Sequence, residues 1–313
     1  MTPTFRRTLT CLALAAIAQG VFAETAPPFI QDARGCAVFD PNPQAGATIT
    51  WSGGCKDGFA DGAGTVQWRH GDVLGASYSG TMAAGKPSGQ GIETFQNGSR
   101  YEGMFANGRR NGHGVATWPG GLRYDGDFAD GKRQGHGRFD FGGGLRYDGA
   151  FDHDDMTGPA TIEFLGMRLE GAFTRGQLSG PGVLVRPAAG GERRLPVDAG
   201  PAPVAEVHLP AGSDASGVAH MRDEADVRHC RPEYPPLALR VSAMGTTRLA
   251  VFVDAQGQTL RARIVHPSGA DFAHSLLDLS ALAAFADCPM VAAQVDNQPV
   301  AGWTHIYYTW KLE

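Results

Sequence analysis

The chain has 313 residues, with 27 basic against 32 acidic side chains and a formal net charge of -5. The two signs are interspersed, so no basic face for nucleic acid stands out. Its 44 glycines lack the three-residue period of collagen, which leaves a turn-rich β structure or a low-complexity chain.

Residues 1–23 carry Arg6 and Arg7, an apolar run from Leu9 to Ala18, and then Val21-Phe22-Ala23. This is the pattern of a secretory signal peptide, cut before Glu24. The apolar run falls short of the roughly 20 residues of a membrane-spanning helix, although an uncut version would tether the chain. Cys11 leaves with the signal, and Cys36, Cys55, Cys230 and Cys288 remain in an oxidising compartment, which predicts two disulfides. Of the three possible connectivities, the distance between the two pairs favours Cys36 with Cys55 and Cys230 with Cys288. Zinc is the competing reading, and it lacks a Cys-x-x-Cys or equivalent spacing.

After a lead-in over 24–50 the chain becomes periodic. Tyr78-Ser79-Gly80, Tyr101-Glu102-Gly103, Tyr124-Asp125-Gly126 and Tyr147-Asp148-Gly149 follow one another every 23 residues. Counted from each tyrosine, glycine recurs at offsets of two, seven, eleven and thirteen, as in Gly103, Gly108, Gly112 and Gly114. Degenerate copies starting at Trp51 and Leu169 bring the count to six, over 51–190. Within a copy, Tyr101, Gly103 and Phe105 alternate with Glu102 and Met104, Asn107-Gly108 marks a turn, and Gly114 to Trp118 returns. Each copy is therefore predicted to be one β-hairpin, and the hairpins must stack side by side to cover their apolar faces. The glycines leave room for tyrosine and phenylalanine rings to lie flat on the backbone.

These residues resemble the MORN repeat, whose mark is Tyr-x-Gly followed by spaced glycines over about 23 residues. The resemblance implies an elongated antiparallel hairpin sheet used for protein contacts or membrane association, without catalysis. In the fifth copy Asp154 and Ala160 replace glycine and one residue is missing, so its second turn is expected to be irregular.

Arg100, Arg123, Arg146 and Arg168 each precede the first position of a copy and should form a row on one face. An anion, lipid-headgroup or peptidoglycan ladder is one reading. The other is that Glu102, Asp125, Asp148 and Glu170, two residues on, neutralise the row, each cross-strand pair contributing about 0.2–1 kcal/mol. His113 and His136 occupy equivalent positions, predicted in exposed turns, and Asp152, Asp154 and Asp155 lack the rest of a calcium loop. Neither set is expected to bind metal.

Proline, alanine and glycine dominate 191–226, which reads as a flexible linker. The remaining segment, 227–313, has its own pattern. Tyr234-Pro235-Pro236 starts a short helix, and Thr247, Leu249, Val251 and Val253 alternate up to a turn at Asp254-Ala255-Gln256-Gly257. Leu260, Ala262 and Ile264 return, Phe272, Leu276, Leu279 and Ala283 mark one face of a helix over 271–287, and Trp303 to Leu312 alternates again.

This helix, hairpin, helix and final strand, entered by Tyr-Pro, resemble the C-terminal domain of the TonB family. The resemblance implies a small α+β domain that pairs a strand with a short segment of an outer-membrane receptor, which is β-augmentation at a sheet edge. The edge would be the last strand, with Trp303, His305, Tyr307 and Thr309 on one side of it. The expectation is a mainly β, non-enzymatic binding or scaffold protein of the periplasm. It would have envelope proteins as partners, no cofactor and no nucleic acid, and its edge strand would be open to homodimerisation. A membrane-anchored energy transducer is the alternative. It would need an uncut N-terminus and a linker longer and richer in proline.

Overall fold

The computed structural model describes residues 28–200, 215–217, 219–221 and 230–312. The secretory-signal reading of residues 1–23 lies outside them, as does most of 201–229.

The strands of the N-terminal lead-in are β1 (Phe29–Gln31), β2 (Ala37–Phe39) and β3 (Ala47–Trp51). The six hairpins are built from β4 (Gly54–Lys56) and β5 (Phe59–His70), β6 (Val73–Ala83) and β7 (Lys86–Thr94), β8 (Arg100–Ala106) and β9 (Arg109–Trp118), β10 (Leu122–Ala129) and β11 (Lys132–Gly142), β12 (Leu145–Asp152) and β13 (Asp155–Phe164), and β14 (Met167–Thr174) and β15 (Gln177–Ala188). Strand β16 (Gly191–Ala199) follows, then the short β17 (Ala215–Gly217) and β18 (His220–Met221). The C-terminal segment runs α1 (Pro236–Arg240), β19 (Gly245–Val253), β20 (Thr259–His266), α2 (Phe272–Phe285), β21 (Met290–Val291), β22 (Ala293–Val295), β23 (Gln298–Val300) and β24 (Gly302–Trp310).

Each of the six hairpins turns through two residues with positive φ, such as Asn107 (52°) and Gly108 (83°). This is the primed turn whose twist matches that of the strands, which explains the Asn-Gly and Asp-Gly pairs in the repeat. Glycine at offsets two and thirteen forms a continuous row through the sheet, with Gly80 opposite Gly91, Gly91 opposite Gly103, Gly103 opposite Gly114 and Gly114 opposite Gly126. The tyrosine of the copy lies over this row. A Cβ on Gly114 would sit 2.4 Å from the Tyr101 hydroxyl, and one on Gly137 would sit 2.4 Å from that of Tyr124. Each hydroxyl donates to the carbonyl three residues on, Tyr101 to Met104 at 2.9 Å and Tyr124 to Asp127 at 2.9 Å. Between successive tyrosines stands the phenylalanine at offset four. Phe105 meets Tyr78 and Tyr101, and Phe128 meets Tyr101 and Tyr124, all edge to face at 5.0–5.1 Å. The core of the repeat region is this aromatic zipper on one face of a single sheet, called the aromatic face below.

The irregular fifth copy is seen in two places. Ala160 takes the glycine position opposite Gly149, and the turn into the sixth copy tightens to the two residues Leu165-Gly166. In the first copy Trp51 replaces tyrosine and covers Gly53 and Gly64.

The sheet does not stop at the sixth copy. Residues 191–199, assigned above to a flexible linker, form β16, antiparallel to β15 and then parallel to β20 at Val197 opposite Ala262. Proline and glycine at 187–191 signal a turn, but Leu195 and Val197 alternate with Arg194 and Pro196 and are buried, so the strand pattern outweighs the composition. From there the order is β16, β20, β19, β24, one continuous sheet from the repeats into the C-terminal domain. Helices α1 and α2 lie on the aromatic face. Cys36 is bonded to Cys55 and Cys230 to Cys288. No helix among the described residues is long and apolar enough to cross a membrane.

Candidate interaction surfaces

Strand β24 is a sheet edge. Among the described residues it pairs with β19 alone, over its full length from Gly302 opposite Val253 to Trp310 opposite Gly245. Its side chains divide by alternation. Thr304, Ile306 and Trp310 are buried beneath the helices, and the Trp310 indole donates to Thr247 Oγ1 at 3.0 Å. Trp303, His305, Tyr307 and Thr309 share the opposite face, opposite Phe252, Ala250, Arg248 and Thr246 of β19. Trp303 tilts against Phe252 at 5.3 Å, the Arg248 guanidinium lies 5.1 Å over the Tyr307 ring, and Thr309 meets Thr246 Oγ1 at 3.0 Å. Tyr307 remains 61 % exposed. The edge thus combines an unpaired backbone with a half-exposed aromatic face.

Beneath it lies a buried acid. Asp278, on α2, accepts from Thr247 Oγ1 at 2.6 Å and from the Ser268 amide at 2.9 Å. Burial pushes its carboxyl up to about 6, against those hydrogen bonds and the positive charge available at His274, which lower it.

The arginine row is continuous across the sheet. It runs Arg100, Thr117, Arg123, Asp140, Arg146, Glu163, Arg168. Every arginine in it has a carboxylate partner: Arg100 with Glu102 at 2.7 Å, Arg123 with Asp125 at 2.7 Å, and Arg168 with Glu170 at 2.9 Å and Glu192 at 2.7 Å. Arg146 departs from the expected pattern. It takes Glu163 at 2.7 Å and Asp140 at 3.4 Å, its cross-strand neighbours, and leaves Asp148 to His136 at 3.1 Å. His113 likewise meets Asp125 at 3.2 Å. Both histidines stand on strands, His113 opposite Asp127 and His136 opposite Ala150, and not in turns, because the turn falls earlier, at offsets six and seven. Among the described residues no cluster of His, Cys, Asp or Glu has the arrangement of a metal site.

A surface that the sequence reading did not single out lies on the aromatic face of the first copies. It is a groove of about 670 Å³, lined by Trp68, Tyr78, Phe95 and Phe105 and, from the lead-in, by residues 39–42 and Gln44. Across its rim the Arg110 guanidinium lies 4.8 Å over Tyr101 and 5.4 Å over Phe95, and it pairs with Glu93 at 2.7 Å.

The junction of repeats and C-terminal domain is tied by charge as well as by pairing. Arg263 of β20 binds Asp198 of β16, with Nη2 at 2.7 Å. Asp287, just past α2, is shared by Arg186 and Arg193. Burial draws the Arg186 guanidinium down to about 10.

No curated protein sequence matches the chain. Residues 230–312 match the family model described as Gram-negative bacterial TonB protein C-terminal. Residues 78–100, 101–123, 124–146 and 170–188 match the MORN repeat. The first copy, which keeps the four glycines but has Trp51 in place of tyrosine, and the fifth, which loses two glycines at Asp154 and Ala160, fall outside the matched segments. The chain thus carries MORN repeats and a TonB-type C-terminal domain, the two joined in one sheet.

Proposed function

We propose that this protein is a non-enzymatic adaptor of the periplasm, exported and cut before Glu24, that captures an extended segment of an envelope protein on the free edge of β24. The observation that carries the reading is that edge: nine residues of strand paired on one side, flanked by Trp303, His305, Tyr307 and Thr309. Main-chain pairing supplies affinity in such a mode and the flanking side chains supply selectivity. The two disulfides and the TonB-type domain fit an envelope location, and both matched families are non-catalytic. Because β16 fuses the domain to the repeats, the edge is presented at the end of a long sheet whose other face and far end are left for a second partner.

Two measurements test the reading. Intact mass of the unreduced protein from a fractionated Gram-negative host should give a soluble periplasmic species beginning at Glu24 with four hydrogens missing. A membrane-bound species retaining Met1 would instead favour the anchored transducer. A photo-reactive benzophenone residue at position 307 should crosslink envelope proteins in living cells, and the same residue at position 179, on the repeats, should not give those adducts. Equal patterns at both positions would sink the edge-capture reading.

A further inference from the structure

We propose that the open half of the aromatic face is a docking groove for one amphipathic helix of a partner protein, laid across the strands of the first three copies. The proposal deepens the adaptor reading, on which it rests, by naming the partner class for the repeat half.

Seventeen residues after the first position of the repeat every one of the first five copies carries an aromatic: Trp68, Phe95, Trp118, Phe141 and Phe164. In the fourth and fifth copies that residue is buried, Phe141 at 9 % and Phe164 at 4 % exposure. What buries them is helical. Phe272 of α2 packs on Phe141 with ring centroids 5.0 Å apart, and Leu237 of α1 and Leu276 of α2 line one small cavity with Phe141 and Phe164. Ring contacts carry this surface toward the N-terminus as far as Trp118, with Phe141 stacked on Phe139 at 4.3 Å and Phe139 on Trp118 at 5.5 Å. Beyond it Phe95 and Trp68 are half-buried, and they line the groove. One repeated surface is therefore covered by helices of this chain over its last copies and open over its first, and the open groove is the continuation of an interface already built.

Backbone chemistry selects the kind of occupant. Strands β5 to β9 are each paired on both sides, so over them the groove offers side chains and no free main-chain partners. A segment buried there must satisfy its own backbone hydrogen bonds, which a helix does and an extended peptide does not. Spacing agrees. Equivalent residues of neighbouring copies are two strands apart, about 9.5 Å, and residues i and i+7 of a helix are about 10.5 Å apart. A helix crossing the strands thus sets one large apolar side chain against each copy. At the rim Val73, the first residue of β6 beside the turn from β5, is 54 % exposed, while Asp40, Glu93, Arg109 and Arg110 offer both signs of charge to the polar flanks of the helix.

The test uses the intact disulfide-bonded protein and two synthetic peptides of about 20 residues. One carries Leu and Phe at i, i+3, i+4 and i+7 among Ala, Glu and Lys, and the other has the same composition scrambled to break the period. Calorimetry and tryptophan fluorescence should show the periodic peptide binding at least about tenfold more tightly than the scrambled one. Phe95→Glu and Val73→Glu should each weaken it about tenfold, and Tyr307→Ala should leave it unchanged, which separates failure of this proposal from failure of capture at β24. Both groove positions are exposed or half-exposed, and circular dichroism melting checks that the variants fold; if Phe95→Glu does not, Val73→Glu decides. Equal binding of the two peptides, unchanged binding by the folded variants, or a fluorescence response to an N-acetylglucosamine hexasaccharide and not to the periodic peptide would each overturn the proposal.

Discussion

A tyrosine and the small residues beneath it set the chemistry of the second to fifth copies. Burial pushes the phenols of Tyr78, Tyr101 and Tyr147 up to about 12, so they stay protonated and keep donating to the carbonyl three residues on. The ring needs the space of the missing side chains. Gly137→Val places new atoms against the Tyr124 ring and is expected to cost about 2–3 kcal/mol in urea unfolding. Gly180→Ala, with nothing within 4 Å of the new Cβ, should change stability by less than about 0.5 kcal/mol or raise it slightly. Equal effects of the two would remove the packing role of the glycine row. At the other end of the chain Asp278 gives a pH dependence with a definite sign. Its carboxyl is raised in the folded state, chiefly by desolvation, to about 6, so the folded protein binds this proton more tightly than the unfolded chain does. The stability linked to the proton is present below about pH 4, is lost as pH rises toward 6, and stays lost above. Asp278→Asn retains an Oδ1 acceptor for Thr247 and the Ser268 amide. It is expected to be more stable than the parent above pH 6, by at most about 2–3 kcal/mol, with the difference vanishing near pH 4. A penalty that is the same at pH 4 and pH 7.5 would refute the account.

The hairpin is the element at which sequence speaks most directly. Its turn demands φ above zero at two successive residues, which Asn-Gly and Asp-Gly meet cheaply, and Leu165, Ala84 and Arg175 do so at a cost. Leu165→Asn, at a partly exposed turn position with φ 48°, should therefore raise the unfolding midpoint by the equivalent of about 0.5–1 kcal/mol; a loss would mean that the leucine packs more than its exposure implies. The same strictness made all six copies legible from the glycine spacing, together with the order of elements in 230–312. Three features were not legible, each because something outside the local pattern decides. Arg146 has an acid two residues away and still pairs with cross-strand neighbours, since strand register brings Glu163 and Asp140 to it. Strand β16 hides in a proline- and glycine-rich stretch because a strand of nine residues needs only a few alternating apolar positions, here Leu195 and Val197. The aromatic seventeen residues into each of the first five copies looked like the end of a strand, and its second use, as a floor for helices, depends on a separate domain, Phe272 lying 131 residues after Phe141.

On the scale of the whole molecule, the junction decides whether repeats and C-terminal domain act as two bodies or one. Val197 to Ala199 pair with Ala262 to Ile264, the Arg263–Asp198 pair spans the same two strands, Asp287 draws together Arg186 and Arg193, and Phe272 rests on Phe141. A hairpin sheet cut after β16 would expose Leu195 and Val197, and the domain cut free would expose Phe272 and Leu276, so each half caps the other's apolar surface. Unfolding of the disulfide-bonded protein is accordingly expected to be a single calorimetric transition, with no separate melting of the C-terminal domain. Val197→Asp puts an unpaired charge at the centre of the junction and should split that transition in two, the earlier one belonging to whichever half keeps less of its core. Arg263→Ala, which removes one partner of a partly buried pair and leaves the strand pairing, should lower the single transition by the equivalent of about 1–2 kcal/mol without splitting it. If the parent protein already melts in two steps that Val197→Asp leaves unmoved, the two regions are mechanically independent. The edge of β24 would then be held by its own small domain and not by the long sheet behind it.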